Sequence, residues 1–325
     1  MTLLLSRDDL AQVLDVDAVI GAVEGAFAAY TAGKTETPLR VNLTPPGTDG
    51  AVLVMPCAVA DPPALGAKMV SVFHGNPARG LPTVTSLYVL CEYDTGAPLA
   101  VMDGTYLTAV RTAAGSAVAT RYLALPGARV LGVFGTGTQA RFHVQAIRRV
   151  RPIERVLVAG TSPEKAGTFA QWVRETIGLV AEPAPPEAVS AADVVAACTT
   201  SPTPVVLADH VRRGAHVTAV GAFTPSTREL PSALVAAAAV FVDTRAGAAA
   251  EAGDLLLAVQ EGAFRLDAIR GEIGEVVLGR VPGRRHEREV TVYKSVGAAF
   301  LDAATARLAY QQAVASGAGQ SFTFA

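Results

Sequence analysis

Arg129–Ala140 reads RVLGVFGTGTQA, and the fold class follows from working outward from it. A short apolar run, Val130, Leu131, Val133 and Phe134, ends at Gly135-Thr136-Gly137-Thr138-Gln139-Ala140. Apolar residues at helical spacing follow: Phe142, Val144, Ala146, Ile147 and Val150. Strand, glycine turn and helix in that order are the context in which G-x-G-x-x-G/A binds a dinucleotide. Gly135 permits the tight turn, Gly137 lets the backbone approach a pyrophosphate, and Ala140 is small enough for close helix–strand packing. Free amides and the helix dipole favour a phosphate at that helix start. Without such a ligand, the same residues read as an ordinary glycine turn in a strand–helix unit.

Downstream the pattern alternates. Strands are predicted at Arg155–Ala159, Asp193–Ala197, His216–Val220 and Ala239–Asp243. Helices are predicted at Gly137–Val150, Pro163–Ile177, Val205–Arg212, Leu230–Ala237 and Ala248–Gln260. Alternation of this kind implies a parallel sheet with helices on both faces. Ala181–Ser190, with three prolines, reads as a loop. A last strand at Glu289–Tyr293 precedes a helix ending near Ala315. Upstream, residues 1–35 read as helical, with Ser6 or Asp8 as a cap. From Leu39 to Ala100, short apolar runs bounded by Pro45-Pro46-Gly47, Gly75-Asn76-Pro77 and Asp94-Thr95-Gly96 predict a mixed, largely antiparallel sheet. A helix at Thr108–Leu123 ends before Pro126-Gly127. The expected class is α/β: a Rossmann-type doubly wound parallel sheet plus an α+β domain.

Composition narrows the function. The chain has 325 residues, room for about two domains. It is 50% hydrophobic and 17% charged, which provides a core and argues against disorder. A net charge of −2 without a basic block argues against nucleic acid. Cys57, Cys91 and Cys198 lie far apart, with neither metal spacing nor a disulfide framework, so no metal site is expected and a reducing, cytoplasmic compartment fits. No apolar run reaches ~18 residues, so no membrane helix is expected. The start, MTLLLSRDDL, meets charge at Arg7 and lacks a signal-peptide pattern.

Five segments carry a family resemblance: Lys68–Pro77 (KMVSVFHGNP), Gly80–Thr83 (GLPT), Asp103–Ala114 (DGTYLTAVRTAA), Gly135–Ala140 and Tyr293–Gly297 (YKSVG). Their order and spacing resemble the ornithine cyclodeaminase/μ-crystallin family over nearly the whole chain. The resemblance implies a substrate-binding and dimerisation domain at residues 1–120 with 298–325, around a Rossmann domain at 121–297, and a homodimer. It places Arg40, Lys68 and Arg111 around a substrate carboxylate, with Val296 beside the substrate. It places Thr83, Thr138, Gln139, Thr199, Val220 and Ser295 with Gly135 and Gly137 around the cofactor. The physical case for the cations is that a carboxylate in a partly dry site needs charge-assisted donors, and Arg offers a bidentate fork. Taken alone, the same cations also read as side chains snorkelling from strand or helix ends.

One departure from the cyclodeaminase pattern bears on function. After the strand at His216–Val220 the chain reads Gly221-Ala222-Phe223-Thr224-Pro225. Ornithine cyclodeaminases carry an Asp where Phe223 stands, and a Glu near the Met55-Pro56 turn, where this chain has Leu53 and Val54. Without those carboxylates the resemblance implies the branch that reduces cyclic imines. Δ1-Pyrroline-2-carboxylate or Δ1-piperideine-2-carboxylate would give L-proline or L-pipecolate with hydride from a reduced nicotinamide. The alternatives are an ornithine cyclodeaminase or alanine dehydrogenase-like oxidoreductase, or a non-catalytic NADP-bound ligand-binding protein like μ-crystallin. Lys68 is the first candidate proton donor and His74 the second, although His-Gly-Asn-Pro equally reads as a surface turn.

Cofactor choice turns on the tip of the second strand of the motif, Ala159-Gly160-Thr161-Ser162-Pro163-Glu164-Lys165. The carboxylate that holds the ribose hydroxyls of NAD is missing from the tip. Thr161 and Ser162 can donate to a 2′-phosphate and Lys165 supplies charge, so NADPH is expected, with NADH as the alternative. Thr161 and Ser162 also suit a helix cap.

Overall fold

The glycine turn forms where the sequence placed it. In a computed structural model, which describes residues 1–73 and 75–324, strand Val130–Phe134 runs into Gly135 at φ +103°. A Cβ on Gly135 would lie 2.6 Å from the Cys198 carbonyl oxygen, so both the dihedral and the space require glycine.

The chain opens with a strand, β1 (Thr2–Leu5), where local pattern indicated only helix. The strand owes its existence to a distant partner, because it pairs in parallel with residues 100–102. Ser6 then caps α1 (Arg7–Val13) in a capping box with Asp9, and Asp15 caps α2 (Val16–Thr31). Next come β2 (Thr35–Glu36), β3 (Val41–Leu43), β4 (Gly50–Ala60), β5 (Pro63–Phe73), β6 (Val84–Cys91) and β7 (Pro98–Asp103). β4 and β5 pair along their whole lengths. Their period-2 pattern buries Leu53, Met55, Cys57 and Val59 on β4, and Lys68, Val70 and Val72 on β5. The next helix is α3 (Gly104–Leu123).

A second series alternates strand and helix: β8 (Val130–Phe134), α4 (Thr138–Ile147), β9 (Arg155–Ala159), α5 (Pro163–Trp172), β10 (Val180–Pro183), α6 (Pro186–Ser190) and β11 (Val194–Ala197). It continues with β12 (His216–Ala219), α7 (Ser232–Ala237), β13 (Ala239–Val242), α8 (Arg245–Glu251), α9 (Gly253–Gln260), β14 (Gly271–Glu272), α10 (Ile273–Val277) and β15 (Thr291–Lys294). The sheet order is β10-β9-β8-β11-β12-β15-β13-β14, all parallel. One face packs Leu131, Val133, Val156 and Val194 against α4 and α5, and the other packs Val195, Val217, Val240 and Val292 against Leu234 and Leu255.

Three local expectations change. Ala181–Ser190 is a strand and a short helix rather than a loop, because an edge strand tolerates Pro183 and Pro186 suits a first helical turn. Val205–Arg212 forms only a 3₁₀ turn at Ala208–His210. Ala248–Gln260 is two helices meeting at Ala252.

The chain closes with α11 (Ala299–Ser316) and β16 (Gln320–Phe322). The first sheet then runs β16-β1-β7-β6-β5-β4-β2, with β3 also on β4. Phe300 of α11 stacks on Tyr30 and meets Phe27 edge-on. Two compact units result: Met1–Arg111 with the segment from Ala298 onward, and Thr112–Gly297.

Candidate active site

Three charges are buried together in the first unit. Lys68 occupies an inward position of β5, in register with Met55 on β4 and Tyr88 on β6. Arg111 comes from α3 and Asp302 from the first turn of α11. Lys68 Nζ donates to Asp302 Oδ2 at 2.8 Å and Oδ1 at 3.0 Å, and Arg111 Nε donates to Oδ1 at 2.8 Å. Lys68 is 1% exposed, Arg111 4% and Asp302 0%. The trio therefore holds two basic groups against one carboxylate, out of water. Burial first, then Arg111, pushes Lys68 down to about 7, against the pull of Asp302. Burial raises the Asp302 carboxyl, but Arg111 and Lys68 outweigh it and hold it below the ordinary range. Arg40, half-buried between β2 and β3, adds its charge to those acting on Lys68. Tyr88 is buried, and its hydroxyl has no hydrogen-bond partner among the described residues. His74 lies outside the described residues.

Snorkelling thus fails for Lys68 and Arg111, whose charged ends are buried and paired. Asp302 escaped the sequence reading. Its signal was there: a lone acid in the otherwise apolar start of α11, Ala299-Phe300-Leu301-Asp302-Ala303-Ala304. An unpaired carboxylate in such a run would be prohibitively costly, so a buried cation had to exist for it.

The second unit carries a cradle at the carboxyl ends of β8, β9 and β11. Gly135, Gly137, Thr161, Lys165 and Thr199 line one pocket of about 910 Å³, of the size that holds small ligands and cofactors. Gly137 is the N-cap of α4, no side chain caps that helix, and a Cβ on Gly137 would point into open space. These residues fit a dinucleotide: uncapped first-turn amides face room for a pyrophosphate. Thr138 and Gln139 form the first turn of α4. Ser162 is the N-cap of α5, its hydroxyl accepting from the Lys165 N–H at 3.3 Å. Gly160 and Thr161, which directly follow β9, carry no carboxylate, and Glu164 lies in the first turn of α5, but Glu187 on α6 lines the same pocket and was not foreseen.

Other expected residues are hydrogen-bonded within their own units. Thr83 belongs to the first unit, where its carbonyl accepts from the Phe73 N–H at 2.9 Å. Val220 follows β12 and donates its N–H to the Ala197 carbonyl at 3.1 Å. The Ser295 hydroxyl and the Val296 and Gly297 amides all donate to Asp243 Oδ2, at 2.9, 2.9 and 2.7 Å. The Thr199 N–H and hydroxyl both go to Glu229. Phe223 is half-buried against the apolar core of the second unit, and Leu53 is buried on β4. Neither position carries a carboxylate. Among the described residues no cluster of His, Cys, Asp and Glu could hold a metal ion, and no helix is long and apolar enough to cross a membrane.

Residues 1–317 match the sequence model of the ornithine cyclodeaminase/mu-crystallin family. The chain is 38% identical over 325 residues to a Delta(1)-pyrroline-2-carboxylate reductase of Bacillus thuringiensis subsp. konkukian, covering 99% of this chain and all of the relative. Among solved structures it superposes on the Thermococcus litoralis Delta(1)-pyrroline-2-carboxylate reductase in complex with NADH and L-proline, with a TM-score of 0.96, 38% identity, and coverage of 99% of this chain and 100% of that one. An archaeal alanine dehydrogenase dimer with bound NAD gives a TM-score of 0.94 at 36% identity, covering 99% of both chains.

Proposed function

The chain belongs to the ornithine cyclodeaminase/mu-crystallin family, and from that premise we propose that it reduces a cyclic imino acid with NAD(P)H, giving L-proline from Δ1-pyrroline-2-carboxylate or L-pipecolate from the six-membered homologue. The observation that carries this reading is the buried excess of positive charge: Lys68 and Arg111 share the single carboxylate of Asp302. A buried cation seeks an anion, and the carboxylate of an α-imino acid is one. The relative solved with NADH and L-proline supports the same substrate class.

In this reading Arg111 and Lys68 bind and orient the carboxylate, Arg40 adds positive potential, and the adjacent imine carbon is presented flat. A bound nicotinamide supplies the hydride. Lys68, held at about 7, carries a proton that can pass from Nζ to the imine nitrogen as C–H forms, so C=N becomes CH–NH and Lys68 is left neutral. Water then returns its proton. Substrate binding favours the protonated form of Lys68, because a second negative charge arrives beside it. Phe223 and Leu53 offer no carboxylate to hold an ammonium group or to take its proton, which disfavours deamination of ornithine.

The second unit holds the cofactor. Thr161 and Lys165 in the pocket, with no carboxylate on the β9 tip, support NADPH. NADH is the alternative, in line with the NADH- and NAD-bound relatives. The first unit binds substrate and dimerises. Its outer sheet face exposes Met69 at 48%, Leu87 at 50% and Val89 at 37%, with Val54, Met69 and Leu87 in register across three strands. A second copy of this chain would cover that strip, and Leu87→Lys should yield monomers by light scattering. The three free thiols suit a cytoplasmic setting.

The deciding assay follows cofactor oxidation with Δ1-pyrroline-2-carboxylate, Δ1-piperideine-2-carboxylate, and pyruvate plus ammonia, alongside ammonia release from ornithine. Fast oxidation with a cyclic imine is expected. Ammonia release from ornithine at a comparable rate, or no turnover of either imine, would overturn the reading.

A further inference from the structure

Behind the cofactor pocket lies a second buried ionic cluster, formed by Glu229, Asp254 and Lys294, each 0% exposed. Glu229 Oε1 accepts from the Thr199 N–H at 2.6 Å and from the Thr199 hydroxyl at 2.8 Å. Its Oε2 accepts from the Gly221 N–H at 2.6 Å. The amides of Glu229 and Leu230 donate to Asp254 Oδ1 at 2.7 and 2.8 Å. Asp254 Oδ2 pairs with Lys294 Nζ at 2.8 Å, and Lys294 also donates to the Ala222 carbonyl. The loop after β11 and the loop after β12 are therefore fastened to opposite oxygens of one carboxylate. The peptide leading to Phe223 is gripped at both ends, at the Gly221 N–H by Glu229 and at the Ala222 C=O by Lys294.

The loops also touch. A Cβ on Gly221 would fall 2.0 Å from the Thr199 carbonyl oxygen and 2.6 Å from Glu229 Oε1. Buried ion pairs are a poor route to stability, since well-packed apolar residues of similar volume often serve as well or better. They do fix geometry, and this cluster stands at the carboxyl edge of a doubly wound sheet, where such folds bind ligands.

We propose that Glu229 is a positioning residue for the cofactor site: it sets the spacing between the Thr199 and Gly221 loops. The inference rests on reading the second unit as the dinucleotide site. Glu229 touches neither reacting atom; it acts through Thr199 and Gly221.

Glu229→Gln tests this. The side chain keeps its size, but one end becomes an N–H₂ group facing an N–H or O–H donor, so at least one loop is released. The NADH dissociation constant, read by cofactor fluorescence, should rise roughly tenfold or more, the factor that corresponds to one charge-assisted hydrogen bond. Amide exchange in peptides spanning 198–204 and 220–225 should speed up, while exchange in β8 and β9 and the far-UV circular dichroism stay unchanged. At saturating cofactor the KM for the imine should hold. Wild-type NADH affinity in a variant with faster loop exchange would overturn the proposal, because the carboxylate would then serve stability alone. Should Glu229→Gln fail to fold, Thr199→Val decides: it removes the hydroxyl bond to Glu229, and with it the one that the hydroxyl accepts from the Ser201 N–H, and should weaken NADH several-fold, and unchanged affinity overturns the proposal. If the unmodified protein bound neither NADH nor NADPH, the dinucleotide reading itself would fall, and this inference with it.

Discussion

Asp302→Asn tests the cation pocket most directly. The substitution preserves side-chain size and leaves Lys68 and Arg111 buried without their shared counter-charge. Removing one partner of a buried ion pair costs about 3–5 kcal/mol. At ~2–4 °C of Tm per kcal/mol for chains of a few hundred residues, the melting temperature should drop by roughly 6–20 °C. The pH dependence has a definite sign. Lys68 stands at about 7 in the folded protein against an ordinary 10.5, so between those values the unfolded chain binds more protons and stability rises with pH. Without Asp302 the folded value falls further, and raising the pH from 7 to about 9 should restore part of the lost Tm. A ligand carboxylate can replace the missing charge, so L-proline should raise the Tm of the variant more than that of the unmodified protein. Differential scanning fluorimetry across pH, with and without L-proline, reads all three effects. A Tm within about 2 °C of the unmodified protein, less than 1 kcal/mol would produce, together with an equal L-proline shift in both, would refute the argument that Asp302 offsets a buried excess of positive charge.

Three further outcomes follow from the same geometry. If Lys68 donates the proton, kcat/KM should fall as pH rises through about 7, because the neutral amine has no proton to give; the same limb persisting in Lys68→Arg would assign it to another group. Arg111→Ala should raise the KM for the imine by roughly a hundredfold or more, the kinetic equivalent of ~3–5 kcal/mol, and leave the NAD(P)H dissociation constant within about twofold; wild-type kinetics would remove Arg111 from the substrate site. Ser162→Asp should fold normally, since Asp caps a helix as well as Ser does, and should weaken NADPH by charge repulsion while sparing NADH; equal loss of both cofactors would show that the 2′-phosphate does not sit at the β9 tip.

The sequence by itself determined the doubly wound sheet and its glycine turn, because both follow from local rules. Val130–Phe134 is apolar enough to be buried on both faces, Gly135 is the residue that a φ of +103° requires, and alternating strand and helix periods allow few other arrangements. The family resemblance of its motifs also singled out Lys68 and Arg111, which their apolar neighbours alone left open to snorkelling. Edges and partners were another matter. β1 exists because residues 100–102 pair with it from far along the chain, and β10 is a strand despite its proline because it lies at the sheet edge. Asp302 stands 234 positions from Lys68 and 191 from Arg111, and Glu229 reaches Thr199 across 30 positions and Gly221 across 8. Only the tertiary structure decided those pairings. A buried charge signals that it must be satisfied, but the chain's path alone sets which distant donor arrives within 3 Å of it.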